Sequence, residues 1–229
     1  SNHVWDFANR VAAETEKTHP NKLIVCCAYG TNTNPPTNIV SLEPNVQVVI
    51  VGGRRPRNSL PEQQDAVTAL REGWLKLTDR PVMIFENYPF TARGTYVPAF
   101  VARVNGETIK ATMGGVSRGE DIWLSFPRFH DAPGMALDAF QIYHTARMYW
   151  SGPDADVGAM LEEYCNTFYG PAGPAMLKFF DYSEANYQAM HTEVEPVRTV
   201  LTLFEEAVAS VETNSIYAQR LDLMSEFLE

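Results

Sequence analysis

Apolar positions change their spacing several times along the chain, and each change marks an element. Val4, Phe7, Ala8, Val11 and Ala12 recur at helical spacing, so a helix is predicted over residues 4–18, ending at Pro20-Asn21. Residues 23–29 (Leu-Ile-Val-Cys-Cys-Ala-Tyr) are apolar without alternation, the pattern of a strand buried on both faces. A polar loop over 30–38 with Pro35-Pro36 leads to a second buried strand, 46–51, closed by Gly52-Gly53-Arg54-Arg55. Residues 62–77 are helical, with Val67, Leu70, Trp74 and Leu77 along one face. A third strand, 81–85, runs into Glu86-Asn87-Tyr88-Pro89. Residues 109–116 predict a helix weakened by Gly114-Gly115, and 121–124 a fourth strand.

From Ala136 the spacing stays helical, with breaks near 151–155, 170–174, 191–195 and 213–214, where Pro, Gly and capping residues fall. Asp154 or Asp156 suits a helix N-cap, and Gly170 a C-cap. Tyr143, Tyr149, Trp150, Tyr164, Phe168 and Tyr169 recur at helical spacing and read as packing aromatics.

Strands separated by helix-bearing connections predict an α/β fold of parallel βα units. Four such units are half of the eight that close a barrel. The fold class expected is therefore a partial (β/α) TIM-like barrel over 1–134, followed by an all-helical region over 135–229 that packs on it. A small, open, doubly wound sheet of four strands is the alternative, and it needs no further strands.

Composition narrows the functional classes. The chain has 229 residues, is 45% hydrophobic and carries a net charge of −10. That charge is uneven: residues 1–150 hold 14 acids and 15 bases, whereas 151–229 hold 14 acids and 3 bases. An acidic helical face suits solvation and argues against a nucleic-acid partner. No apolar run is long enough to cross a bilayer, so no membrane partner is expected. Ser1-Asn2 reads as a cleavage scar, so further chain is expected upstream. Cys26, Cys27 and Cys165 lack metal-ligand spacing and are expected as buried free thiols; no metal and no cofactor is implied.

A collinear set of short segments carries a resemblance. It runs from Phe7-Ala8-Asn9-Arg10-Val11-Ala12 and His19-Pro20 through Ala28-Tyr29, Pro35-Pro36, Asn45-Val46 and Trp74-Leu75-Lys76-Leu77-Thr78. Tyr149-Trp150, Pro153-Asp154, Glu163-Tyr164 and Phe168-Tyr169-Gly170-Pro171-Ala172 complete it. In these the chain resembles the bacterial family catalogued as domain of unknown function 4838. The resemblance implies a glycoside-hydrolase-like barrel of the alpha-glucuronidase type, of which this chain supplies the C-terminal half. It implies a carbohydrate substrate, polysaccharide degradation and an extracytoplasmic location, secreted or periplasmic. The chain departs from the family pattern at Pro127-Arg128-Phe129-His130-Asp131, where a glycine-rich segment is usual.

Active-site groups of a βα barrel come from the C-terminal ends of its strands. Glycoside hydrolysis requires two carboxyl groups, one as acid and one as base or nucleophile. Glu86, after an apolar strand, is the first candidate and Asp131 the second. The plainer readings are a strand-end ion pair with Arg54 or Arg55, and a turn residue in Asp131-Ala132-Pro133-Gly134. Arg54 and Arg55 suit a uronate carboxylate, or simply balance local acids. Tyr29 and Tyr88 offer ring faces to a sugar, as do Phe90 and Phe126, while Trp123 suits the core. Asn87, Arg128 and His130 complete the candidate sugar contacts. Two functions remain open: a glycosidase whose fragment alone is inactive, and a non-catalytic carbohydrate-binding or scaffolding domain. The partners expected are the sugar, the missing N-terminal part of the same polypeptide and, through open strand edges, a second copy of the chain. A third reading makes residues 136–229 a helical interaction module.

Overall fold

The computed structural model describes residues 1–52, 61–86, 97–113, 115–122 and 134–228. Their elements run α1 (Asn2–Thr18), β1 (Ile24–Ala28), β2 (Val46–Val51), α2 (Pro61–Leu75), β3 (Val82–Glu86), α3 (Ala102–Thr112) and β4 (Ser117–Ile122). Five helices follow: α4 (Gly134–Ser151), α5 (Val157–Tyr169), α6 (Gly173–Ala185), α7 (Val194–Ala209) and α8 (Ile216–Leu228). The chain divides into two compact units, one holding the four strands with α1 and α2, the other holding α3 to α8. The division differs from a single boundary at 134, because α3 groups with the later helices.

In the first unit the sheet order is β1-β2-β3-β4, every pair parallel. A doubly wound sheet reverses its order at a switch point, and these four strands do not. Helices cover one face. Trp5 and Ala12 of α1 and Trp74 of α2 pack in one cluster with Ala28, Val46, Val48, Ile50 and Val82. Trp5 and Trp74 meet at 4.4 Å between ring centroids. Each indole N–H donates to a loop carbonyl, Trp5 to Asn32 at 3.2 Å and Trp74 to Thr33 at 2.9 Å. Burying both rings therefore leaves no indole donor unsatisfied.

Several expectations shift here. The buried stripe of α1 is Trp5, Ala8 and Ala12, while Val4 and Phe7 face out. A large indole that finds a carbonyl outweighs the phenyl ring two residues on, which falls on the opposite side of the helix. β1 was expected buried on both faces, yet Val25 is 60% exposed and Cys27 is also exposed, so its thiol is not a buried one. The fourth strand is Ser117–Ile122, earlier and more polar than 121–124, and α3 likewise precedes its expected 109–116.

The second unit encloses an aromatic core. Phe100 lies 4.6 Å from Phe180 and 5.8 Å from Phe179, and Phe140 stacks on Phe180 at 4.1 Å. Tyr164 joins through Phe140 at 5.0 Å. The expected helix breaks are present, with Asp156 capping α5 by accepting from the Ala159 N–H at 2.9 Å and Gly170 ending it at φ 56. A side chain at 170 would collide with the Tyr217 ring of α8. Nearby, Arg220 donates to the Phe168 carbonyl at 2.6 Å, satisfying the C-terminal end of α5. At the start of α3, Glu184 accepts from the Arg103 and Val104 N–H groups at 3.1 and 2.8 Å, and Asp181 pairs with the Arg103 guanidinium at 2.7 Å. Trp150 departs from the packing role expected of the helical aromatics, for it is 91% exposed.

Candidate functional site

Parallel pairing brings the four strand tips to one edge, and the register shows which side chains share a face. Ala28 pairs with Ile50, Ile50 with Ile84, and Ile84 with Glu120. One residue further, Val51 pairs with Phe85 and Phe85 with Asp121. Tyr29 follows Ala28 in extended conformation, φ −144 and ψ 147, so it continues that row. Successive residues of a strand point to opposite faces. Val82 and Ile84 are buried on the helix-covered face, so Phe85 lies on the other, open face.

Among the described residues the open face therefore ends in a row of Val51, Phe85 and Asp121, with Tyr29 next to it just past β1. Below it stand Cys27, Val49 and Met83, in register across three strands. Tyr29 is 62% and Met83 37% exposed, and Asp121 is exposed as well, whereas Val51 and Phe85 are half-buried and Val49 is buried. With strands about 4.8 Å apart, the row spans about 14 Å from Tyr29 to Asp121. Gly52, at φ +83 just past β2, donates its N–H to the Phe85 carbonyl at 2.8 Å and holds the rim at β3. The left-handed conformation there is one that side-chain-bearing residues adopt at a cost.

Of the residues nominated from sequence, Tyr29 stands in this row. Glu86 is the last residue of β3, as a strand-end acid should be, but alternation gives it the face of Val82 and Ile84, and it is 1% exposed. The two described candidates thus lie on opposite faces. Glu120, in register with Ile84, shares the covered face, and both of its carboxylate oxygens are shielded from solvent. Arg71, one turn before Trp74, is buried as well, so this side of the unit holds charges of both signs. Arg54, Arg55, Asn87, Tyr88, Arg128, His130 and Asp131 lie outside the described residues, as do Phe90, Trp123 and Phe126.

Asp121 was not among the nominations. The apolar Ile122-Trp123-Leu124 run set the predicted start of the strand at Asp121, four residues after its start at Ser117. With β4 recognised as 117–122, the same C-terminal-end rule selects it.

Grooves also lie elsewhere among the described residues. One of about 450 Å³, lined by Glu16, Leu23, Glu43, Asn45 and Arg80, opens where the strands begin. Among the described residues no group of His, Cys, Asp and Glu forms a metal cluster, and no helix is long and apolar enough to cross a membrane.

The family model described as Domain of unknown function (DUF4838) matches residues 1–181. No curated protein and no solved structure matches the chain.

Proposed function

The chain belongs to the DUF4838 family, and from that membership and the open sheet face we propose a carbohydrate-active, glycoside-hydrolase-like domain. In this reading the sheet is the C-terminal half of a (β/α) barrel. Its open face is the barrel interior, and its strand tips form one wall of the sugar site. The observation that supports it most is the level row of tips, which sets two aromatic rings and a carboxylate on one face of the sheet. Ring faces suit the C–H faces of pyranoses, and a carboxylate accepts hydrogen bonds from hydroxyls. Further βα units of the same polypeptide would pair with the free edge of β1, and export follows from work on extracellular polysaccharide.

A non-catalytic sugar-binding domain is the second reading, favoured by one observation. Among the described residues of the open face, Asp121 is the single carboxylate, whereas hydrolysis requires two about 5–9.5 Å apart. A glycosidase would draw the other from Asp131 or from the added units.

Two assays on this chain test the proposal: thermal shift with a panel of oligosaccharides, and chromophore release from aryl glycosides and uronides. Stabilisation without turnover is the expected result for half a site, since a ligand at about 100 times its Kd adds about 2.7 kcal/mol. A panel that leaves the melting temperature unmoved at millimolar sugar would overturn it.

A further inference from the structure

We propose that Asp121 is the sugar-contacting carboxylate of this face and that the row it ends accepts a neutral oligosaccharide in preference to a uronide. The assignment rests on the carbohydrate reading above and sharpens it to a residue and a ligand class.

Its first support is direction. Three acids lie at or near the C-terminal ends of β3 and β4: Glu86, Glu120 and Asp121. Register sends Glu86 and Glu120 to the helix-covered face, where both are shielded, and sends only Asp121 to the open one. Among the described residues the Asp121 carboxylate has no hydrogen bond or ion pair, so its oxygens are available to a ligand's hydroxyls. Its neighbours in the row, Phe85 and Val51, offer carbon surface and no competing donors.

The second support is length and shape. A floor of Val51 and Phe85, with Tyr29 at one end and Asp121 at the other, spans about 14 Å. That is longer than one pyranose and suits a short oligosaccharide lying across the strands. Such a ligand would meet the ring of Tyr29 with one residue and the carboxylate of Asp121 with another.

The third support is sign. No described member of the row is a cation, and its one charge is negative. A uronate carboxylate near Asp121 would be repelled, whereas a neutral sugar's hydroxyls would be attracted.

The test titrates the full chain by calorimetry with xylotetraose, cellotetraose, methyl glucoside and methyl glucuronide. Variants are Asp121→Ala, Asp121→Asn and Tyr29→Ala, with Glu14→Gln on α1 as a charge-matched control, and circular dichroism checks each fold. Losing charged hydrogen bonds in Asp121→Ala should weaken tetrasaccharide binding about ten- to a hundredfold. Tyr29→Ala should weaken the tetrasaccharide more than methyl glucoside, because only the longer ligand reaches both ends. Asp121→Asn should narrow the preference for glucoside over glucuronide. Tetrasaccharide binding that is the same in wild type and Asp121→Ala would remove Asp121 while leaving the carbohydrate reading intact. A wild-type chain that binds none of the four sugars would end both.

Discussion

In the helical unit Phe100, Phe140, Phe179 and Phe180 are all buried against one another, while in the sheet unit Val25, Tyr29 and Met83 stand open to solvent. The helical unit places charges at helix ends, through Asp156, Glu184 and Arg220, and buries Asp138 and His144 as well. The sheet unit buries Glu86 and Arg71 behind the strands, and its exposed Val25 and Met83 share one face of one sheet. The two units should therefore respond differently to the same kind of damage.

The largest contrast comes from truncating the aromatic core. Phe140→Ala should cost the helical unit about 3–5 kcal/mol, since the ring is buried, stacked on Phe180 and tilted against Tyr164. Urea unfolding followed by near-UV circular dichroism measures it. A cost below about 1 kcal/mol would show that this core is not the unit's main support.

Acid should act on the helical unit next. His144 of α4 is buried with neither ring nitrogen hydrogen-bonded among the described residues, and burial, with Arg103 nearby, lowers its pKa to about 4. The folded state therefore holds the neutral ring. Its contribution is complete above the unfolded pKa of about 6.5 and is lost as pH falls from there toward 4. The full loss is roughly 3 kcal/mol, and His144→Leu should flatten it. Unfolding curves at pH 7.5 and 4.5 give the difference, and equal slopes in wild type and variant would reject His144 as its source.

A smaller effect is expected where α3 meets that ring. A Cβ on Gly106 would approach His144 Cε1 at 2.7 Å and Val157 Cγ1 at 2.9 Å. Gly106→Ala should cost about 1–3 kcal/mol by overpacking, less the modest gain in helix propensity. Combined with His144→Ala, which vacates the space, the cost should shrink, and a double-mutant cycle reads that coupling. Strict additivity would mean that the backbone, not the ring, absorbs the new methyl group.

Legibility in the sequence followed the same divide. β2 was readable because Val46–Val51 is apolar nearly throughout and buried in the middle of the sheet. β1 has the same signature, but apolar residues on both sides of a strand say what each face prefers, not whether anything covers it. β4 was misplaced because Ser-Arg-Gly-Glu-Asp-Ile looks like a loop and holds its position by pairing with β3. The start of α3 rests on Glu184, about 80 positions away, which local spacing cannot reveal. Helix breaks were legible since caps are local chemistry, as Asp156 and Gly170 show. At the strand ends, the positions of Tyr29 and Glu86 were legible, but the faces that Glu86 and Asp121 take needed register.

The smallest expected change in stability carries the largest change in behaviour. Val25→Lys replaces an open-face side chain, so its effect on folding should lie within about 0.5 kcal/mol. Among the described residues β1 is also the last strand on its side of the sheet, with one edge unpaired. An uncovered apolar edge strand invites pairing with another, and a charge is the usual block. We therefore expect the wild-type chain to self-associate at tens of micromolar protein and Val25→Lys to be monomeric, as light scattering after size exclusion would show. Phe7→Glu on the exposed side of α1 should reduce association less, because it leaves the strand edge intact. A monomeric wild type would mean that the front of the sheet tolerates water without a partner, and the contrast between the two units would then reflect ligand binding instead of assembly.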